Sequence, residues 1–120
     1  MWRRTRGTLA LVGSLLVCAV LISDRASAFM TRLDIAGQWC TGGGIVQFER
    51  HQMIVVRASD GQRFVYPVQR YESKVSSITV HWTRLDQKQT FTTYVEFDAD
   101  RRRMVKLPSE DGPRRELYRC

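Results

Sequence analysis

The chain has 120 residues, 43% of them hydrophobic, with 19 Lys and Arg against 12 Asp and Glu and a formal net charge of +7. Four of the 19 basic residues and one of the 12 acidic ones precede residue 29, so the remainder carries 15 against 11, a net charge of about +4. That charge is too mild to argue for nucleic-acid binding, though it suits an anionic partner. The length leaves room for no more than one domain.

Residues 1–28 read as a secretory signal peptide. Arginines at positions 3, 4 and 6 precede the apolar run TLALVGSLLVCAVLI, and the segment ends in Ala26-Ser27-Ala28, a small-x-small cleavage site. The competing reading is an uncleaved membrane anchor. A spanning helix needs roughly 20 apolar residues, and here Ser23, Asp24 and Arg25 interrupt the run too early. Cleavage after Ala28 is therefore expected, with no stable membrane span afterwards and a periplasmic or secreted protein. A lipid anchor on Cys18 is not expected, because the bulky Val17 precedes it.

Residues 29–36 form a short N-terminal extension, and residues 37–120 read as one small β domain. Cys40 and Cys120 remain after cleavage. In a small exported domain, two cysteines read as one disulfide, worth roughly 3–5 kcal/mol for so long a loop. A free thiol and an intermolecular bridge are the alternatives. No His or Asp pattern accompanies the two cysteines, so no metal site is expected.

After Gly37 nearly everything reads as strand. Segments rich in Val, Ile, Thr and aromatic residues alternate with short polar turns. The expected strands are 44–50, 52–58, 62–71, 77–85, 88–97, 102–107 and 114–120. A short strand at 37–40 adds an eighth if Gly42-Gly43-Gly44 is a turn and not a kink. Short connections make each strand pair with the next. The fold class is all-β, an antiparallel meander of seven or eight strands closed into a small barrel. Closure removes exposed edges; an open or split sandwich is the alternative.

Ser59-Asp60-Gly61 reads as a three-residue hairpin loop with Gly61 at positive φ. That length sets Val56 opposite Phe64, Ile54 opposite Tyr66 and Arg57 opposite Arg63. Asp86-Gln87 reads as a two-residue loop, which sets Trp82 opposite Phe91 and Val80 opposite Thr93. The expected inward set is Phe48, Ile54, Val56, Phe64, Tyr66, Val68, Ile78, Val80, Trp82, Phe91, Val95 and Phe97. An eight-stranded barrel has room for its side chains or one small ligand. So many aromatics leave at most a small or partial cavity. In such a meander Cys40 would face the start of the last strand, so its bridge to Cys120 requires a very short first strand or a kink at the glycines.

Few residues suggest chemistry. His51 lies in a turn, and His81 alternates with inward neighbours and should point outward. Asp98 and Asp100 flank a hairpin turn, where Asp bonds the local backbone. Ser59, Ser76 and Ser77 lack a nucleophile-elbow context. The glycine triplet lacks the Lys-Ser/Thr and the helix of a phosphate loop. Arg101, Arg102 and Arg103, with Arg114 and Arg115, form either a solvated face or an anionic docking patch.

Gly37-Gln38-Trp39 at the head of a β-meander resembles the G-x-W opening of the lipocalin and calycin barrels. The resemblance implies that Trp39 plugs one barrel end and that a basic side chain of the last strand packs across it. Arg119 matches that position, or Arg115 in another register. In size the domain is similar to small exported bacterial barrels, which include periplasmic inhibitors of proteases or lysozymes.

The expected function is a non-enzymatic, lipocalin-like binding module without a cofactor, taking a partner protein or a small apolar ligand at one barrel mouth. The alternatives are an enzyme inhibitor, inserting loop 108–113 or segment 29–36 into a cleft, and a structural envelope component. An enzyme is the least expected, because no acid–base or nucleophile constellation is visible.

Overall fold

The computed structural model describes residues 29–120; the expected signal peptide at 1–28 lies outside the described residues. One helical turn, α1 (Arg32–Ile35), precedes eight strands. These are β1 (Gly37–Thr41), β2 (Gly44–Phe48), β3 (Gln52–Arg57), β4 (Arg63–Ser73), β5 (Ile78–Thr83), β6 (Gln89–Val95), β7 (Arg103–Lys106) and β8 (Arg115–Arg119). Each strand pairs antiparallel with the next, and β8 pairs with β1, so the sheet closes into a barrel.

The eighth strand exists because Gly42 and Gly43 turn the chain between β1 and β2. Gly44 has a different task. It has φ +147, and a Cβ there would stand 1.9 Å from the Val56 carbonyl oxygen of β3. Only glycine lets the two backbones approach so closely.

β4 has 11 residues and serves two neighbours. Its first half pairs with β3 and its second half with β5, with a register shift between Val68 and Arg70. A bulge of this kind bends a strand and strengthens its twist. Here it lets one long strand turn a corner of the barrel while Val68 and Tyr71 both face the core.

Two hairpins differ from the expected register by one residue. The β3–β4 loop holds four residues, 58–61, because the Arg57 amide donates to the Gln62 carbonyl at 2.9 Å. Val55 therefore faces Phe64 and Met53 faces Tyr66, while Val56 lies opposite Arg63. The β5–β6 loop holds three residues, 85–87, closed by the Arg84 amide on the Lys88 carbonyl at 2.8 Å, with Gln87 at φ 69. Trp82 then faces Thr90, Val80 faces Thr92 and His81 faces Phe91.

A one-residue slip moves a whole strand face to the other side of the sheet. That accounts for the errors in the expected inward set. Phe48, Phe64, Tyr66, Val68, Ile78, Val80 and Trp82 do face the interior, as does Phe97, which follows Glu96 at φ 53. Ile54 is buried, as expected, but pairs with Val65 outside the main core cluster, and Val56 is only half-buried opposite Arg63. Val95 is half-buried and pairs with the buried Val105, also outside that cluster. Phe91 is 59% exposed. Their inward places are taken by Met53, Val55, Thr92 and Tyr94. Thr92 is buried, and its hydroxyl accepts the Trp82 indole N–H at 3.0 Å.

Candidate functional site

The two ends of the barrel differ, and the first is sealed. Trp39 of β1 is fully buried there and donates its indole N–H to the Ile35 carbonyl at 2.9 Å. The Arg119 guanidinium of β8 lies 4.0 Å from the Trp39 ring, a cation–π distance. The same guanidinium donates to the carbonyls of Ala36 at 2.6 Å, Asp34 at 2.9 Å and Arg101 at 3.1 Å. Two of those carbonyls lie at the end of α1, where a cation is favoured. Gly37 has φ +95, and a Cβ there would meet the Arg119 guanidinium at 3.3 Å.

Segment 29–36 is part of this seal. Met30 and Ile35 belong to the barrel core. The Asp34 carboxylate accepts the Thr31 amide at 2.6 Å and faces Arg101 at 3.4 Å. The Met30 amide donates to the Lys74 carbonyl at 3.1 Å. The segment expected as an extension is thus docked across the barrel end. A four-residue helix shows too little periodicity to be read from sequence.

Cys40 is bonded to Cys120 beside the same seal. β1 and β8 pair only at Trp39–Arg119 and Cys40–Tyr118. Cys40 therefore meets the end of β8, not its start, because the barrel is staggered at this seam. Neither a kink at the glycines nor a very short first strand is needed, since β1 runs for five residues.

The five arginines of the expected docking patch are not brought into one face. Arg101 sits at the sealed end against Asp34. Arg103 pairs with Glu116 at 2.7 Å and Arg114 with Glu96 at 3.4 Å. Arg102 is exposed, and Arg115 stands at the opposite mouth. Asp98 is a turn residue, its carboxylate accepting the amides of Arg102 at 2.7 Å and Arg103 at 3.1 Å; the Arg102 bond leads in lowering its pKa. His81 points outward, 3.5 Å from Glu72. Among the described residues no three His, Cys, Asp or Glu side chains converge on a metal position.

The other end is open. A cavity of about 370 Å³ enters the barrel between the β1–β2 turn and loop 108–113. Its walls are Val46, Met53, Val55, Phe64, Tyr66 and Leu117, and Tyr94 stands among them. Burial, with the nearby Asp111 carboxylate, raises the pKa of the Tyr94 phenol far above its ordinary value, so Tyr94 is uncharged. The rim carries Arg57, Lys106, Asp111 and Arg115.

The sequence reading singled out neither Lys106 nor Asp111. The signal for Lys106 was present. Met104 and Lys106 alternate on β7, so a buried Met104 places Lys106 inward. Asp111 gave no signal, because its position depends on how loop 108–113 folds back. No protein-family model, no curated protein and no solved structure matches the chain.

Proposed function

We propose that the protein is an exported, calycin-like, non-enzymatic binding module that takes a small apolar ligand into the open half of its barrel. The observation that carries this reading is the apolar cavity of about 370 Å³. Small-molecule sites typically measure about 300–1,000 Å³ and are mostly apolar with a few polar groups. The seal supports the calycin-like reading, with Trp39 under Arg119 at the closed end. Export is supported by the amino-terminal pattern and by the Cys40–Cys120 bond, which suits an oxidising compartment. Accurate mass of the protein from a periplasmic or medium fraction checks this, the expected chain starting at Phe29.

A neutral fluorescent probe, N-phenyl-1-naphthylamine, tests the cavity. Its emission should rise with the wild-type protein. Val55→Trp, or Val46→Phe as a milder filler, should abolish the rise while far-UV circular dichroism stays unchanged. Overpacking costs about 1–3 kcal/mol, which the barrel should tolerate in at least the smaller change. No rise with wild-type protein, or an undiminished rise in both folded variants, would overturn the reading.

A further inference from the structure

The mouth of the cavity carries charge that a purely apolar ligand leaves unused. Lys106 and Arg115 are cross-strand partners on β7 and β8, and both line the cavity. Like charges directly opposite on a sheet repel and destabilise it, so the pair needs an anion. The acid that lines this cavity is Asp111, with its carboxylate 3.6 Å from the Lys106 ammonium. Lys106 is only 9% exposed, and an ammonium held out of water requires a partner.

Asp111 belongs to loop 108–113, not to the barrel wall. The loop is held by the Lys106 pair, by Glu110 against Arg84 at 3.8 Å, and by a bridge between Ser109 and Gly112. Arg115 is in no ion pair among the described residues. Its guanidinium lies over the β1–β2 turn, 3.1 Å from where a Cβ of Gly43 would stand. Arg57, the third rim cation, is already satisfied by Asp60 at 2.7 Å. Arg115 is thus unmatched by any carboxylate, and the charge of Lys106 is matched only by Asp111 on a loop, with one further bond from its ammonium to the Pro113 carbonyl at 3.4 Å.

We infer that the cavity takes an amphiphile with a single apolar chain and an anionic head, and that Lys106 and Arg115 receive the head in place of the Asp111 carboxylate. This rests on the cavity reading above and names the class of its ligand. The chain occupies the apolar wall, and the head stops at the rim. Arg115 offers a planar fork of donors that suits either a carboxylate or a phosphate, and Lys106 adds a point charge. Asp111 is the resident carboxylate that faces Lys106 when no head is present.

Titration calorimetry with dodecanoate, dodecyl phosphate and dodecan-1-ol, each below its micelle concentration and at low salt, tests this. The two anions should bind about 10-fold tighter than the alcohol, or more, since bonds to charged groups exceed neutral ones by that order. The tighter of the two identifies the head group. Arg115→Gln, at an exposed position, should remove most of that advantage and leave the alcohol unchanged, with Lys106→Met as a second variant. Asp111→Asn should tighten the anions and not the alcohol. Equal binding of anions and alcohol, insensitive to Arg115→Gln, overturns the anionic head and leaves the cavity reading standing. Unchanged anion affinity in Asp111→Asn overturns the displacement of Asp111. Absence of binding by all three compounds overturns both readings.

Discussion

Replacing Trp39 with alanine should lower the stability of the barrel by about 3–5 kcal/mol, the usual cost of truncating a buried Trp. Three elements lose a common partner at once. Trp39 is fully buried within the core cluster, its N–H satisfies the Ile35 carbonyl, and its ring carries the Arg119 guanidinium. The truncation leaves a cavity, an unpaired Ile35 carbonyl and a cation without its aromatic face. Urea unfolding followed by far-UV circular dichroism measures the loss. Trp39→Phe separates the contributions, since it keeps most of the volume and removes the hydrogen bond, itself worth about 1 kcal/mol. A loss under about 1 kcal/mol for Trp39→Ala would mean that Trp39 is not the keystone of the sealed end.

Breaking the Cys40–Cys120 bond is the second large effect. The two residues are 80 apart in sequence. In the chain-entropy account, a loop of that length contributes about 4 kcal/mol by restricting the unfolded chain. The bond also guards the seam where β8 meets β1 through only two residue pairs, Trp39–Arg119 and Cys40–Tyr118. The double variant Cys40→Ser, Cys120→Ser and dithiothreitol-reduced wild-type protein should lose similar stability, read as a lower urea midpoint. Peptide mapping without reductant should recover the two cysteine peptides joined. Free thiols at both positions would remove this account. A domain's whole stability is typically about 5–15 kcal/mol, so Trp39→Ala under reducing conditions is expected to be largely unfolded.

Both effects converge on the sealed end, which leaves the open end to the proposed ligand. The seal is built from α1, β1, the β6–β7 turn and the end of β8, which meet through Arg119. The mouth lies at the other ends of those strands. Its hydrogen-bonded closure comes from loop 108–113, held to the wall by the ion pairs of Glu110 and Asp111. Substitutions at the mouth are therefore expected to leave the seal intact, as changes on loops carried by a rigid scaffold generally do.

Much of this fold is legible in the amino-acid sequence, for local reasons. Alternation with period two marks the strands, and polar residues with glycine mark the turns, so Gly61 at φ 70 and the turn at Asp98 are where their residue types place them. Short connections imply the meander. Arg119 can be matched to Trp39 because both lie near the ends of strands that closure brings together. The cysteines can be paired because a small domain expected to be exported leaves them few other uses.

What local pattern cannot supply is the length of a hairpin loop to within one residue. The loops at 58–61 and 85–87 each hold one residue more than the shortest reading of Ser59-Asp60-Gly61 and Asp86-Gln87. Turn residues tolerate either length, and the choice falls to the strands that must close. With β3 and β6 each flipped, Met53 and Thr92 enter the interior and Phe91 leaves it. The stagger of the closed barrel then brings Cys40 to the end of β8, docks residues 29–36 over Trp39 and folds Asp111 back onto Lys106. Sequence alternation alone specifies that there are strands and that they run in a meander. Closure of the sheet, a constraint on all eight strands at once, decides which faces are inside, and with them the cavity and its charged mouth.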